Sequence, residues 1–260
     1  MEIKEYLDTQ YIGKKIIYFD SINSTNKYAK EIARSKEEGT LIIADHQSSG
    51  KGRLGRDWTS PYKKGIYFSI ILKPKLNPNQ VARVTLIGAA ALYLALKDMD
   101  IDSQIKWPND IVIAGKKVAG ILTEMSSDLN TINYIVIGIG INANLDKEDF
   151  PQDLKDKASS LKILTGREIV RNRLLGLFLN HFEKLYNPFK EGLNIVETID
   201  ICRQNSALIG KEIKIIKDGN IRTGMALDIS HEGDLIIQFE DGIERIDSGE
   251  VSVRGLNKYI

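Results

Sequence analysis

The stretch from residue 80 to residue 99 constrains this chain most. Pro78 and Asn79 open it, and its apolar residues fall on nearly every side of a helix rather than on one stripe. Such a helix is not stable on a surface, so the rest of the chain has to be built around it. Its most apolar part, residues 86–96, is too short to cross a bilayer and contains Gly88. Burial therefore has to come from protein. Residues 40–44, 65–73, 117–125 and 134–141 are apolar runs of strand length, and shorter strands fall near 104–106 and 110–114, with a turn at Gly115. Ser24 can cap a helix that shows Tyr28, Ala29, Ile32 and Ala33 on one face and is expected to end at Gly39. Further helices are expected over 167–186, where Leu174, Leu177, Phe178 and Phe182 sit at helical spacing, and near 195–205.

The texture changes near Gly210. From there to Arg254 four or five short strands are expected, punctuated by Asp218-Gly219, Glu232-Gly233, Asp241-Gly242 and Ser248-Gly249. This reads as a small β-barrel or SH3-like module, which divides the chain into residues 1–208 and 209–260. No internal repeat or low-complexity segment is seen.

Composition excludes several classes. The 260 residues carry a formal net charge of +1, so nothing pulls the whole chain toward nucleic acid or an anionic membrane. Residues 1–11 include Glu2, Glu5 and Asp8 and no apolar run, unlike a secretory leader. Cys202 is the one cysteine and cannot form an internal disulfide, so a cytoplasmic, reducing setting is expected. His46, His181 and His231 are scattered without metal-ligand spacing, and no protein-bound metal site is expected from them.

Several short segments can carry chemistry. In Gly50-Lys51-Gly52-Arg53-Leu54-Gly55-Arg56 the glycines let the backbone approach a ligand, and the three cations can neutralise a phosphate or carboxylate. The segment matches G-x-G-x-x-G, but residues 57–61 do not start the helix that a dinucleotide fold needs. On composition alone it can equally be a solvated surface turn. Gly138 and Gly140 form a second match inside an apolar strand, where close backbone packing is the better reading. Neither is a P-loop. Lys106-Trp107-Pro108-Asn109-Asp110 puts a cation, an aromatic ring, an amide and a carboxylate on a turn, able to stack a base or hold Mg²⁺ through oxygens, though Pro-Asn-Asp turns are common. Lys117 enters an apolar strand beside Ala119 and Gly120, and a lysine is rarely buried unpaired.

Taken in order, these segments resemble the biotin–protein ligase family. The resemblance rests on Ser24, Thr25 and Asn26 at a helix start, and on Gln47 ahead of the loop from Gly50 to Arg56. It rests also on Lys106 to Asp110, on the Lys-x-Ala-Gly-Ile-Leu strand at 117–122, and on Gly138-Ile139-Gly140-Ile141-Asn142-Ala143-Asn144. It spans about Ser21 to Arg254. Lys51 departs from the arginine usual in the loop; it keeps the charge but not the bidentate geometry.

The resemblance implies an α/β (α+β) fold: a class II synthetase-like catalytic domain, with a mixed sheet flanked by helices, followed by the SH3-like barrel. It implies a biotin–[acetyl-CoA-carboxylase] ligase that uses biotin, ATP and Mg²⁺. Biotin carboxylate attacks the α-phosphate to give biotinoyl-5′-AMP, and a lysine of a biotin carboxyl carrier protein then takes the acyl group. Ser24, Thr25, Asn26 and Gln47 are expected on the ureido head group. Lys51 and Arg53 are expected on carboxylate and phosphate, and Lys117, with Arg53, as the catalytic cations. Trp58 or Trp107 is expected against adenine, and Asn109 and Asn142 on the nucleotide or Mg²⁺ side. Gly50, Gly52, Arg56, Lys106, Asp110, Gly120, Gly138 and Gly140 complete the expected binding site.

Only 23 residues precede Ser24, too few for the N-terminal DNA-binding domain that some family members carry, so a mono-functional ligase is expected. The resemblance leaves a homodimer open. Two rivals remain. A lipoate ligase shares the catalytic fold, but the Lys106–Asp110 and Gly50–Arg56 segments favour biotin. A non-enzymatic nucleic-acid binder would need more clustered basic residues than 210–260 holds.

Overall fold

The computed structural model describes residues 3–217, 219–249, 251–256 and 259–260. Along the chain run β1 (Ile16–Phe19), α1 (Thr25–Ile32), β2 (Leu41–Ala44), β3 (Ile66–Leu72), α2 (Val81–Lys97), β4 (Gln104–Lys106) and β5 (Asp110–Ile113). There follow β6 (Lys116–Ser127), β7 (Ile132–Ile141), α3 (Leu161–Thr165), α4 (Arg171–Lys190) and α5 (Val196–Gln204). The chain then forms β8 (Glu212–Lys217), β9 (Asn220–Ile229), β10 (Leu235–Phe239), β11 (Gly242–Ile246) and β12 (Ser252–Gly255). Strands β1 to β7 make one mixed sheet in the order β1-β2-β3-β7-β6-β5-β4, with β1 and β2 parallel and the other pairs antiparallel. The last five make an antiparallel sheet in the order β11-β10-β9-β8-β12.

The helix that had to be buried is buried. In α2, 11 of 17 residues are inside protein. Together with Pro78–Gln80 it is long and apolar enough to cross a membrane, and its apolarity is accounted for by the protein around it. It packs with α4 on one face of the large sheet, where Ile70, Leu72, Ile121, Ile135, Ile137 and Ile139 point into one continuous core. A ladder of rings, Phe68, Phe178, Phe182, Tyr186 and Phe189, runs through that core at centroid spacings of 5.2–6.0 Å.

The opposite face is different. There α1 covers a small cluster of Ala29, Ala33, Ile42, Ile71 and Val136. Because side chains alternate along a strand, the residues of that face continue as Ser69 in β3 and as Gly138 and Gly140 in β7. The surface is apolar beneath the body of α1 and becomes small and polar beneath its N-terminus.

The two sheets share the core. Leu208, Ile213, Ala226, Ile229, Leu235 and Ile237 belong to the same apolar cluster as α2. Trp107 Nε1 donates to Gly233 O at 2.9 Å, which ties the turn after β4 to the turn before β10.

Some boundaries differ from the sequence reading. Helix α1 ends at Ile32, not at Gly39. Residues 34–38 offer no apolar side chain to bury, and both the N–H and the hydroxyl of Ser35 bond Ile32 O, closing the turn. Gly39 has φ +82 and instead feeds β2. Helix α4 starts later and runs to Lys190, with Pro188 inside it. Strand β1 and the short α3 were not anticipated. Of the four turn pairs expected in the C-terminal module, three lie at described strand ends; in the fourth, Asp218 lies outside the described residues.

Candidate active site

A cleft of 430 Å³ opens over the small, polar part of the sheet. One end is neutral. Ser24 caps α1, its hydroxyl accepting from Lys27 N at 3.3 Å. Thr25 and Asn26, the next two residues, thereby face the sheet and are nearly inaccessible. Gln47 Oε1 accepts from Thr25 N at 2.8 Å, and Gln47 Nε2 donates to Ser60 Oγ at 3.1 Å. Ser69, fully buried in β3, lies 2.6 Å from Asn26 Oδ1 and 2.9 Å from Thr25 Oγ1.

The glycines of β7 leave room for side chains from elsewhere. A Cβ on Gly138 would stand 1.9 Å from Asn26 Oδ1, and one on Gly140 2.4 Å from the indole of Trp58. Close packing was the better sequence reading here, and the packing partners turn out to be two side chains of the cleft.

The other end is cationic. Lys117, at the start of β6, points its amine at Asp110 Oδ1 at 2.5 Å and lies 5.2 Å from the centre of the Trp58 ring. Tyr259 donates its hydroxyl to Asp110 Oδ2. Burial alone pushes the Asp110 carboxyl up, but Lys117 and Lys106 outweigh it and hold the group below its ordinary value. Both Asp110 oxygens are thus engaged, so the turn does not present the free carboxylate that a Mg²⁺ site on it needs. Lys106 is 2% exposed, with its amine 3.7 Å from the Tyr259 ring centre. Burial drives its pKa down to about 7, partly opposed by Asp110.

The glycine-rich loop is the lid of this end. Leu54 and Gly55 are both left-handed, at φ 56 and φ 71, which folds the loop back on itself. Arg53 Nη1 donates to Asn109 Oδ1 at 3.1 Å, and Nη2 donates to the carbonyls of Ser248 and Gly249 at 2.5 and 2.7 Å. Arg53 therefore spends its guanidinium on fastening the loop to the C-terminal module. Arg56 lies 3.5 Å from Ser252 Oγ. Lys51 is half exposed and pairs with Asp57 across the loop at 2.6 Å.

The structure brings nearly every expected site residue to the cleft: all but Gly50 line it. Gly50 instead accepts Trp58 N through its carbonyl at 2.9 Å and so holds that indole in place. Trp107 reaches the cleft only at its margin. It is 1% exposed and committed to Gly233, which leaves Trp58, packed against Gly140 and Lys117, as the aromatic candidate. The Trp58 Nε1 donor is buried without a partner. Asn142 donates its amide to Ser159 O, and Asn109 donates to Ile121 O. Ser69, Glu124, Tyr259, Arg254 and the carbonyls of Ser248, Gly249 and Val251 were missed by the sequence reading.

A family model described as "Biotin/lipoate A/B protein ligase family" matches residues 18–142, and one described as "Biotin protein ligase C terminal domain" matches residues 208–254. The bifunctional ligase/repressor BirA of Bacillus spizizenii is 38% identical over 255 residues, 97% of this chain and 78% of that protein. The chain belongs to the biotin protein ligase family. Solved structures of the family agree. The biotin protein ligase from Aquifex aeolicus in complex with biotin and ATP aligns with a TM-score of 0.81 at 32% identity, covering 93% of this chain and 99% of that one. The biotin–[acetyl-CoA-carboxylase] ligase of Mycobacterium tuberculosis is 27% identical over 222 residues, 82% of this chain and 79% of that protein. As in the sequence reading, the mixed sheet with flanking helices precedes an antiparallel C-terminal sheet, the architecture expected of a biotin protein ligase.

Proposed function

We propose that this chain makes biotinoyl-5′-AMP from biotin and ATP and transfers the biotinoyl group to a lysine of a biotin carboxyl carrier protein. The observation that carries the proposal is the polarity of one cleft. Its neutral end offers hydroxyls and amides at the scale of a ureido ring, and its other end gathers Lys106, Lys117, Arg53, Arg56 and Arg254.

In the first step the biotin carboxylate attacks the α-phosphate of ATP and pyrophosphate leaves. Charge builds on the α-phosphate oxygens, and Lys117 is a cation of the sheet that lines the cleft. Asp110 pins its amine in place, so it meets that charge without reorganising. In the second step the carrier lysine attacks the acyl carbon and AMP leaves. Between the steps the adenylate has to be shielded from water. Arg53, by fastening the loop to Ser248 and Gly249, provides the closure. Mg²⁺ would arrive on the nucleotide phosphates. Among the described residues no group of three or more His, Cys, Asp or Glu side chains gathers to hold a metal, and no step is assigned to one.

The division of labour proposed is residues 1–208 for both substrates and 209–260 for closing the phosphate end. Cys202 is buried and unpaired, which supports a reducing, cytoplasmic setting.

The family model covers lipoate ligases too, so the substrate is the point to test. A dithiolane ring has no N–H or C=O to satisfy the neutral end, which favours biotin. Exchange of labelled pyrophosphate into ATP should require biotin. Exchange supported by lipoate alone moves the chain to the lipoate side, and exchange with neither removes the adenylation reading.

A further inference from the structure

Strands β4 and β5 set Lys106 directly opposite Asp110, and directly opposed residues of an antiparallel pair share a face. A lysine and an aspartate so placed would be expected to pair. They do not. Asp110 Oδ1 goes to Lys117 Nζ at 2.5 Å, and Oδ2 accepts the hydroxyl of Tyr259. Among the described residues the Lys106 amine makes neither an ion pair nor a hydrogen bond. It lies over the Tyr259 ring instead, 3.7 Å from its centre. Burial and Asp110 both push the phenol pKa up, so the Tyr259 hydroxyl keeps its proton and stays a donor. One side chain therefore does two things. Its hydroxyl takes the carboxylate oxygen that Lys106 would otherwise claim. Its ring turns a face of negative potential to the ammonium.

We propose that Tyr259 is a positioning residue for the nucleotide: it keeps Asp110 from pairing with Lys106 and holds the Lys106 ammonium on its ring, so that the N–H groups remain for the ATP phosphates. It acts through Lys106 and need touch no substrate. A buried Lys106–Asp110 pair would have to be broken before Lys106 could serve a phosphate. A ring contact is given up more readily than a charge-assisted hydrogen bond. The other charged groups that face Lys106 are Arg254, Lys117 and Arg56. All are cations, so none can replace the tyrosine. The inference rests on the ATP-dependent ligase reading and adds what the segment after β12 contributes to it.

The test is the KM for ATP in pyrophosphate exchange by the full chain at saturating biotin. Tyr259→Phe keeps the ring and deletes the hydroxyl, which frees Asp110 to capture Lys106. It should raise that KM by about tenfold and leave kcat within about threefold of wild type. In a Lys106→Met background the same change should move KM by less than about twofold, because no amine is left to capture. A second measure is the pH profile. In wild type KM should rise as pH passes about 7, where Lys106 loses its charge. In Y259F the carboxylate holds that charge, so the rise should begin at higher pH. Tyr259→Leu, which removes the ring as well, should raise KM further. A Y259F with the KM and pH profile of wild type overturns the proposal. So does an equal rise in both backgrounds, which is what a merely structural role gives, and so does a fall in KM, which would put the ring in the place of the nucleotide. A wild-type chain without biotin-dependent exchange overturns the ligase reading itself, and this inference with it.

Discussion

The two ends of the cleft are built on opposite principles. At the neutral end the polar side chains bond one another, Thr25 to Gln47, Asn26 to Ser69 and Glu124, and Gln47 to Ser60, while Ser24 accepts a backbone N–H. Thr25 and Asn26 stand on a helix start and Ser69 and Glu124 on strands, while Gln47 and Ser60 come from the loop between β2 and β3. At the other end the charges do not cancel. Seven Lys and Arg side chains line the cleft against three Asp, on a chain whose net charge is +1. Those cations come from a loop, a turn, a strand start and the C-terminal module. The first end is satisfied before any ligand arrives and can discriminate by hydrogen-bond pattern. The second end is held together by tethers and is completed by a polyanion.

The contrast predicts that substitutions at the two ends fail in different ways. The largest effect is expected for Lys117→Ala. Removing a preorganised cation costs on the order of 10²–10³ in rate, so pyrophosphate exchange should nearly vanish. Biotin binding by calorimetry should persist, because no neutral-end contact is touched. Near-normal exchange by this variant would break the assignment of chemistry to the cationic end.

Gly138→Ala attacks the neutral end instead. Its Cβ meets Asn26 Oδ1 at 1.9 Å, a clash that has to be relieved by moving a side chain fixed on both sides. Overpacking of this kind costs about 1–3 kcal/mol. Biotin affinity should fall accordingly while ATP affinity stays close to wild type. Equal loss of both would mean that the ends are not separable.

Arg53→Gly should separate closure from chemistry. The variant loses its bonds to Ser248 and Gly249 and should release adenylate before a carrier arrives. The readout is biotinylation of a bystander protein in a mixture. Selectivity equal to wild type would show that the tether does not retain the intermediate.

How much of this contrast was legible in the sequence depends on where each residue stands in the chain. The motifs that line the cleft are contiguous segments, so Ser24 to Asn26, Gly52 to Arg56 and Lys106 to Asp110 could be read directly. Ser69 could not, because its role depends on which strands neighbour β3. Yet it is the one small polar side chain in Ile66–Leu72, a strand buried throughout, and a buried hydroxyl implies a partner. Glu124 shares a strand face with Gly120 and Leu122, and it lay inside the strand read over 117–125, where its charge in an apolar run went unused. Tyr259 carried no local signal at all. It reaches Asp110 because the C-terminal sheet docks on the turn that holds Trp107, a contact 149 residues apart in sequence. The early end of α1 is the converse case, where a glycine was given a boundary that a run of polar residues had already set.

The cationic end also makes a pH prediction. Lys106 is depressed from its ordinary value to about 7. The fold therefore binds fewer protons than the unfolded chain between about 7 and 10.5, and Lys106 destabilises it increasingly as pH falls through that window. An anion beside Lys106 favours its charged form and raises its pKa in the complex. ATP binding at pH 8 should then take up protons, seen as a dependence of the calorimetric heat on buffer ionisation enthalpy. Affinity should weaken as pH rises above about 7. Biotin binding alone should show neither effect.

The smallest effect is expected where sequence comparison first drew notice, at Lys51, which stands where the family loop usually has arginine. Its amine is paired with Asp57 at 2.6 Å, but the two side chains are 52% and 86% exposed. Pairs this accessible are worth about 0–1 kcal/mol, since water screens them and two long side chains must be ordered to form them. Lys51→Ala should therefore change ATP affinity by no more than about fivefold, and Lys51→Arg by less. The wild-type charge at this site works at the rim of the cationic end, not within it. A loss from Lys51→Ala approaching that of Lys117→Ala would move the boundary: the loop would have to fold inward on nucleotide, exchanging Asp57 for phosphate, and the cationic end would reach to residue 51.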